Sequence, residues 1–304
     1  MLLKGVIDCP DLPLNVSRSF LQNDGYVKKI SSHITKKVAD KLTSIYNNER
    51  ENYEKYWDYI NIFIKYGCLR DEKFYEKVKD VIIYKDIDGK YLTLDEYLDG
   101  KEEKDVYYVS DPQTQSQYIN MFKKEGLDAV ILSHNIDSPF ITQMEQKNEH
   151  IKFQRIDADL TDHFKEDVSE EEKEAFKEKT DSLVEIFRKA LGNDKLEVKV
   201  EKMKDENVAS MITLSEESRR MQEMMKMYGM SGMDPSMFGT NATLILNANH
   251  PLVEYVVAHK DGENTEMFCH QLYDLAMLAH KPLSPEEMTE FVKRSNEIMM
   301  KLAK

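Results

Sequence analysis

Four short runs of β-branched and aromatic residues constrain the fold of this chain more than any other feature of its sequence. They read VIIY from residue 81, VYYV from residue 106, DAVIL from residue 128 and FQRI from residue 153. Segments of helical length and pattern separate several of these runs. Strands that alternate with helices predict a largely parallel sheet covered on both faces. We therefore predict an α/β unit with three layers, helix, sheet and helix, in the first part of the chain.

Two helices are predicted before these strands. Apolar residues recur at helical spacing between Gly25 and Tyr66, first through Val27 and Ile30 and later through Ile60 and Phe63. Gly67 follows the second periodic segment and is expected to end that helix.

The composition changes in the segment 157–172, DADLTDHFKEDVSEEE, which is acidic and only weakly apolar. Such a segment suits a junction better than a core element. We accordingly predict one domain over 1–160 and a second over 161–304.

The second domain is predicted to be a small α+β domain. Ser169 and Glu172 form the pattern of a capping box for its first helix, and Gly192 marks the end of that helix. The runs LEVKVEKM, ASMITL and ATLILN predict a small sheet with a polar solvent side. Two helices, from 265 to 279 and from 285 to 303, are expected to close the chain.

Composition and charge argue against several classes of partner and location. A net charge of -14 repels nucleic acids and anionic membranes. A mean hydropathy of -0.60, without an apolar run near about 18 residues, gives no membrane span. The start of the sequence has no secretory signal pattern, and Cys9, Cys68 and Cys269 lie far apart, as expected of reduced thiols. We therefore predict a cytoplasmic protein that binds neither nucleic acid nor membrane.

The common motifs of catalytic and cofactor sites are missing from the sequence. Neither GxxxxGK[ST] nor GxGxxG occurs, and HExxH and GxSxG are likewise absent. His270 and His280 are ten residues apart, so spacing alone does not place them on one metal-binding face. We predict no metal site and no cofactor site within this chain, and no enzyme activity for the chain alone.

An arginine on a constrained loop is the first candidate functional residue. In DLPLNVSRSFLQND, Pro13 and Asn15 favour a turn, and Arg18 follows just before a helical pattern. Such an arginine can stabilise phosphate charge held by another domain, because guanidinium is permanently charged and binds oxygens through a rigid fork. It can equally be a helix-start arginine paired with Asp11 or Asp24. The residues alone leave both interpretations open.

Methionine is concentrated in RRMQEMMKMYGMSGMDPSMFG, residues 219–239. Met221, Met224, Met225 and Tyr228 share one face of a predicted helix, and Met230 follows in a turn-rich segment. Such a stripe can pack on the small sheet. It can also form an adaptable binding surface, because methionine is flexible and polarizable.

The two closing helices carry further apolar stripes. These helices have little of their own chain left to cover both faces. They can pack within the chain, or pair with a second copy as a four-helix bundle. The residues of the predicted dimer interface are Phe268, Leu272, Leu275, Met288, Phe291, Val292, Ile298, Met299 and Leu302.

Five separated motifs follow one another along the chain: KGVIDCPDLPLNVSRSFLQ, VKKISSHITKKVADKL, YWDYINIFIKYG, YYVSDPQTQSQYINMF and NANHPLV. Together, and in this order, they resemble the ninety-kilodalton heat-shock chaperone family, nearest to its bacterial members. The resemblance covers nearly the whole chain. It implies the latter part of the family's middle domain followed by its C-terminal dimerisation domain.

The resemblance implies roles for the candidate residues. Arg18 and Gln22 would reach toward the terminal phosphate of ATP, which the family binds with magnesium in an N-terminal domain that has no counterpart here. Met221, Met224, Met225, Tyr228 and Met230 would contact unfolded clients, and the closing helices would form a homodimer. The sequence ends in MMKLAK, without the MEEVD-like tail of eukaryotic members, as expected of a bacterial cytosolic protein. Two alternatives remain, a dimeric scaffold without client binding and an α/β enzyme with an unrecognised pocket.

Overall fold

The computed structural model describes most of the chain, and its described residues fall into two compact units. One unit combines the residues up to 106 with 130–153, and the other combines 107–129 with the residues from 154 onward. No helix among the described residues is long and apolar enough to cross a membrane. The described residues are 25–101, 104–158, 164–166, 168–169, 172–215, 218 and 242–303.

Helices open the first unit. Helix α1 spans Gly25–Asn48, α2 spans Arg50–Arg70 and α3 spans Glu72–Val78, followed by a 3-10 turn at Lys79–Val81. The prediction of two successive helices before the strands is confirmed. Helix α2 buries one side, on which Trp57 and Ile64 lie, because its apolar residues recur at helical spacing.

Gly67 lies inside α2, so the prediction that it ends the helix is wrong. A Cβ atom at this position would lie 2.8 Å from Cε1 of Phe74. Glycine therefore allows the Phe74 ring of α3 to lie directly against the backbone of α2. The helix ends at Arg70 instead, with Asp71 as its C-cap. The Asp71 carboxylate accepts hydrogen bonds from the N–H groups of Lys73 and Phe74 and caps α3.

The VIIY run forms part of a hairpin that the sequence analysis missed. Strand β1, Ile83–Lys85, pairs antiparallel with β2, Tyr91–Thr93. Between them the Asp86 carboxylate accepts from two backbone N–H groups of the turn, and Gly89 adopts φ 86°, which favours glycine. A short helix α4, Leu94–Leu98, follows with a complete capping box.

A three-stranded sheet contains the other predicted runs of this region. Its strand order is β4-β3-β5. Backbone N–H groups of Lys152 and Ile156 donate to Lys104 and Tyr108, in the same chain direction, so β3 and β5 run parallel. The α/β class is confirmed. The elements are β3 Asp105–Val109, α5 Ser116–Lys124, β4 Val130–Ile131, α6 Asp137–Lys147 and β5 Lys152–Arg155.

The C-terminal part is a small α+β arrangement, as predicted. In its sheet the central strand β8 runs parallel to β6 and antiparallel to β7. The elements are α7 Lys173–Leu191, β6 Glu197–Glu201, β7 Ser210–Thr213, β8 Thr243–Asn247, α8 Pro251–Ala258, α9 Thr265–Leu278 and α10 Pro285–Leu302.

The polar solvent side that the sequence predicts for this sheet occurs on β6, where Glu197 and Lys199 are exposed, but not on β7 and β8. Every residue of β7 and β8 is buried. Leu183 and Phe187 of α7 and Leu272 of α9 belong to the core cluster beside it. The segment 107–129 also contacts the sheet, since the Tyr118 hydroxyl donates to the carbonyl oxygen of Ile212 at 2.6 Å. The predicted domain boundary at residue 160 stays a prediction.

The sequence pattern predicts Ser169 as the N-cap of α7, but the helix begins three residues later. Its N-cap is Glu172, without a side-chain capping bond, and not Ser169. The predicted pair still interacts, because the Glu172 N–H donates to the Ser169 carbonyl oxygen at 3.0 Å. Gly192 ends the helix at φ 60°, as predicted.

Candidate functional site

Helix α10 packs unusually little within its own chain. It begins at Ser284, whose capping box with Glu287 and following Pro285 confirm the predicted helix start. None of its 18 residues is buried. A helix with a strong apolar stripe and no buried residue leaves that stripe largely uncovered by the residues that the structure describes.

The uncovered residues lie along one side of α10. Met288, Val292 and Met299 are 37%, 48% and 58% exposed, and Leu302 is 83% exposed. Their positions i, i+4, i+11 and i+14 fall on one side of a helix. Leu275 on α9 is also 47% exposed. We call these five residues the C-terminal apolar surface.

Polar contacts fix the position of α10 against α9. The Arg294 guanidinium forms an ion pair with the Asp274 carboxylate, and its Nε donates to Gln271 Oε1 at 3.0 Å. Gln271 Nε2 in turn donates to Ser295 Oγ at 3.1 Å. Both partners of the ion pair are only 13% exposed. The C-terminal apolar surface is therefore presented by a helix that is held in place.

The remaining residues of the predicted interface divide into two groups. Leu272 is 1% exposed and belongs to the core of its own domain, so it is not part of the exposed surface. Phe268 and Phe291 are half-buried against the same core, and Ile298 is half-buried. The apolar residues of the α9 stripe therefore pack in or against the core of their own chain, except Leu275.

The other candidate residues lie outside the part of the chain that the structure describes. They are Arg18 and Gln22 of the predicted catalytic loop, and Met221, Met224, Met225, Tyr228 and Met230 of the predicted client surface.

A buried charged cluster anchors the turn between α9 and α10, and sequence analysis did not find it. The Asp157 carboxylate is 1% exposed and accepts from Arg155 through Nε at 2.5 Å and Nη2 at 2.8 Å. His280, just beyond α9, brings its Nδ1 to 3.6 Å from Asp157 Oδ2. Asp157 and His280 are 123 positions apart in sequence, so no spacing pattern connects them.

The pKa of Asp157 shows how strongly this cluster favours the carboxylate. Burial acts to raise the pKa, but the contact with His280 and the positive charge of Arg155 outweigh it and hold the pKa at about 2. The cluster connects residues 155–157 with the chain just beyond α9.

The described residues offer an exposed apolar surface on α9 and α10. No group of three His, Cys, Asp or Glu side chains among them is arranged to hold a metal ion. Burial raises the pKa of the Cys68 and Cys269 thiols to about 12, which keeps both as unreactive thiols. An apolar surface of this size on a fixed helix gains free energy when a partner covers it.

Known proteins match this chain over nearly its whole length. The family model described as Hsp90 protein matches residues 1–304. The chaperone protein HtpG of Bacteroides thetaiotaomicron is 38% identical over 98% of this chain and 43% of the relative. HtpG of Porphyromonas gingivalis is 38% identical over 84% of the chain and 39% of the relative. HtpG of Treponema denticola is 28% identical over 99% of the chain and 48% of the relative.

The chain therefore spans less than half the length of these curated relatives. A match from the first residue to the last nevertheless leaves no part of the chain outside the family pattern. The chain belongs to the Hsp90 protein family.

Proposed function

We propose that the chain acts as part of a homodimeric molecular chaperone and that α9 and α10 form its dimer interface. The observation that carries the proposal is that α10 buries none of its residues while Val292, Met299 and Leu302 are exposed on one side. An antiparallel pair of helices from each copy would form a four-helix bundle and cover this side. A two-fold symmetric dimer uses the same surface on both copies.

The burial free energy of the C-terminal apolar surface is of the order that association requires. Fully burying one exposed side chain of this type gains about 1.5–3 kcal/mol, and these residues are on average about half-exposed in one copy. Each copy contributes the five residues of the C-terminal apolar surface, so ten side chains are covered in the dimer. Their sum, about 8–16 kcal/mol, offsets the cost of association, which is on the order of 10 kcal/mol.

The client surface is proposed to be the methionine-rich segment. Met221, Met224, Met225 and Tyr228 share one face of the predicted helix, and Met230 extends the apolar character beyond it. Side chains that fit many shapes suit weak, reversible capture of unfolded proteins. Dimerisation would place two such segments in one assembly and increase their effective concentration for one client.

Substitution of two methionines tests this role. We expect Met221→Asp with Met225→Asp to leave folding and dimerisation intact and to abolish suppression of aggregation, because two charges replace the apolar contacts. Light scattering of a thermally unfolding client measures the effect. The control is Glu223→Asp with Lys226→Asp, which makes the same net charge change on the predicted polar side. Unchanged suppression by the methionine variant would favour the dimeric scaffold without client binding.

We propose that Arg18 and Gln22 assist ATP hydrolysis in the whole protein. ATP and its magnesium ion would be held by another domain, and the chemistry that magnesium supplies is stabilisation of phosphate charge. Arg18 would add a charge-assisted hydrogen bond to the terminal phosphate, and Gln22 would lie one turn further along the chain. A bond of this kind contributes about 1.5–3 kcal/mol.

Kinetics of the whole protein test the arginine. We expect Arg18→Ala to lower kcat by about 10- to 100-fold with little change in ATP affinity, because the bond strengthens in the transition state. Exposed Arg70→Ala is the control and should leave kcat unchanged. The 304-residue chain alone is expected to show no ATP hydrolysis. Steady hydrolysis by the chain alone that Arg18→Ala removes would contradict this assignment.

We place this activity in the bacterial cytoplasm. The three curated relatives above are bacterial proteins. Cys68 and Cys269 are free and buried, which is the usual state of cysteine in a reducing compartment.

A further inference from the structure

Helix α2 carries a row of aromatic side chains on its exposed side. Tyr59 is 75% exposed, Tyr56 and Tyr66 are each 54% exposed, and Phe63 is 38% exposed. Their positions i, i+3, i+7 and i+10 fall on one side of the helix. We call these four residues the α2 aromatic stripe.

The size and composition of the α2 aromatic stripe fit a protein interface. An aromatic side chain has about 150–250 Å² of surface, so four rings that are about half-exposed present roughly 400 Å². A contiguous exposed apolar patch of this size marks an interaction site, whereas single exposed apolar residues do not. Tyrosine is also enriched among the residues that dominate binding free energies, because its ring is large, rigid and amphipathic.

The opposite side of α2 holds the stripe in place. Tyr53 and Trp57 are buried with their ring centroids 5.4 Å apart, and the Tyr53 hydroxyl donates to the carbonyl oxygen of Val81 at 2.8 Å. Nearer the C-terminal end of α2, Lys65 forms a buried ion pair with Asp137 of α6. A partner would therefore meet rings on a helix that is already ordered, and binding would not incur the entropy cost of ordering it.

Cations stand at both ends of the stripe. Lys55 Nζ lies 5.7 Å from the centroid of the Tyr56 ring, and Arg70 Cζ lies 5.9 Å from the centroid of the Tyr66 ring. Both cations are exposed. Asp58 is the one acidic residue between them in the sequence, and it pairs with a lysine of β1 at 3.0 Å. This side of α2 is therefore aromatic in the middle and positive at both ends.

We propose that the α2 aromatic stripe docks an amphipathic helix of a partner protein, with an apolar side about 15 Å long and a carboxylate near each end. The length follows from Tyr56 and Tyr66, which are ten residues apart on the same helix. Amphipathic helices bind their partners through apolar anchors at this kind of spacing. The carboxylates would pair with Lys55 and Arg70 and set the register. The proposal goes beyond the homodimer and client surfaces, which lie elsewhere in the chain.

The charges at the ends disfavour two other occupants. If two copies of this chain paired through their stripes, Lys55 would meet Arg70 in an antiparallel pair, and each cation would meet its own equivalent in a parallel pair. Like charges placed opposite each other act against association. Sites for single-stranded nucleic acid combine stacking rings with a continuous positive groove, which two cations about 22 Å apart do not provide.

Binding of a designed helical peptide to the full 304-residue chain tests the proposal. The peptide has leucine at i, i+3, i+7 and i+10 and glutamate at both ends, and its control is a scrambled peptide of the same composition. Fluorescence anisotropy measures both affinities. We expect the patterned peptide to bind at least about tenfold more tightly, because only this peptide can cover the rings and reach both cations.

Substitution of two rings locates the binding surface. Tyr59→Ala with Phe63→Ala, the ring variant, is expected to weaken binding of the patterned peptide at least about 20-fold, mostly through faster dissociation, because it removes the centre of the apolar contact. The matched control is Ile34→Ala with Leu252→Ala, which removes two exposed apolar side chains outside α2. It should retain binding. Circular dichroism checks that both variants remain helical.

Charge reversal at the two ends tests the pairing with carboxylates. Lys55→Glu with Arg70→Glu is expected to weaken binding of the glutamate-ended peptide at least about fivefold. A peptide with lysine in place of the terminal glutamates should bind this variant more tightly than it binds the unaltered chain. Lys195→Glu with Lys260→Glu makes the same net charge change at two exposed lysines and should leave both affinities unchanged.

Several results would contradict the proposal. Equal binding of the patterned and scrambled peptides, or equal loss in the Ile34 and Leu252 variant, would show apolar attraction without a docking surface. A charge reversal that does not change the preference between peptide ends would exclude the carboxylate pairing. A lower association state of the ring variant in analytical ultracentrifugation would assign the stripe to a second copy. Tighter binding of a single-stranded oligothymidine than of the patterned peptide, lost in the ring variant, would assign it to nucleic acid.

Discussion

Val292→Asp with Met299→Asp is expected to convert the protein into a folded monomer. The two residues lie seven positions apart on one side of α10 and are 48% and 58% exposed. In a symmetric dimer each substitution occurs twice, so four charges would enter an apolar interface. Each loses about half of the 1.5–3 kcal/mol gained on full burial, because the side chains are about half-exposed in one copy, and adds the cost of a desolvated carboxylate. The dissociation constant should rise by at least about 1,000-fold.

Analytical ultracentrifugation at micromolar concentration measures this change, with circular dichroism to show that α10 remains helical. Lys293→Asp with Glu297→Asp is the matched control, because it places two aspartates on the polar side of the same helix with the same net charge change. Lys293 is 67% exposed and lies away from the apolar stripe. The control should remain dimeric. A dimer that persists in the Val292 and Met299 variant would contradict the proposed interface.

The sequence alone predicts those features that short-range chemistry determines. Ser284, Pro285 and Glu287 indicate the start of α10 because a cap, a first-turn proline and a capping-box acid act within one helical turn. Gly192 indicates the end of α7 for the same reason. The alternation of strand and helix patterns also predicts the α/β class, because each element must bury its own apolar side.

Features that depend on distant contacts are not predictable in this way. A glycine after a periodic apolar segment indicates a helix end. Gly67 nevertheless lies inside α2, where the Phe74 ring of the next helix packs against its backbone. The C-terminal sheet alternates in sequence along β6, yet it is buried at β7 and β8 because the segment 107–129 contacts it. Such contacts join residues of large sequence separation, which periodicity does not record.

The same distinction applies to the candidate site. Periodicity predicts an apolar stripe on α9 but not which of its residues the chain's own core uses. Leu272 is buried in that core, whereas Leu275, three positions later, is exposed. An apolar stripe can be wide enough that some of its residues pack in the core of the chain while others stay exposed. The proposed interface therefore rests on those residues of α9 and α10 that are exposed, while its other residues stay a prediction.

The buried Asp157 cluster leads to a second large expected effect, on stability. We expect Asp157→Asn to lower the free energy of unfolding by about 3 kcal/mol at pH 7, because it removes the negative partner of the largely buried Arg155 guanidinium. The Arg155 side chain is 14% exposed, so water would solvate its charge poorly once the carboxylate is lost. Urea unfolding at fixed protein concentration measures the change. Exposed Asp261→Asn is the control and should change stability by less than about 0.5 kcal/mol.

The pH dependence distinguishes the charge of Asp157 from its packing. The folded-state pKa of this carboxyl is about 2, below its usual value of 3.8. A depressed carboxyl pKa stabilises the folded protein above the unfolded-state value, and this stability is lost as pH falls toward the folded-state value. The wild-type advantage over Asp157→Asn should therefore shrink by about 2 kcal/mol between pH 5 and pH 2. An advantage that stays constant over this range would show that the aspartate acts through shape and neutral hydrogen bonds, and not through its charge.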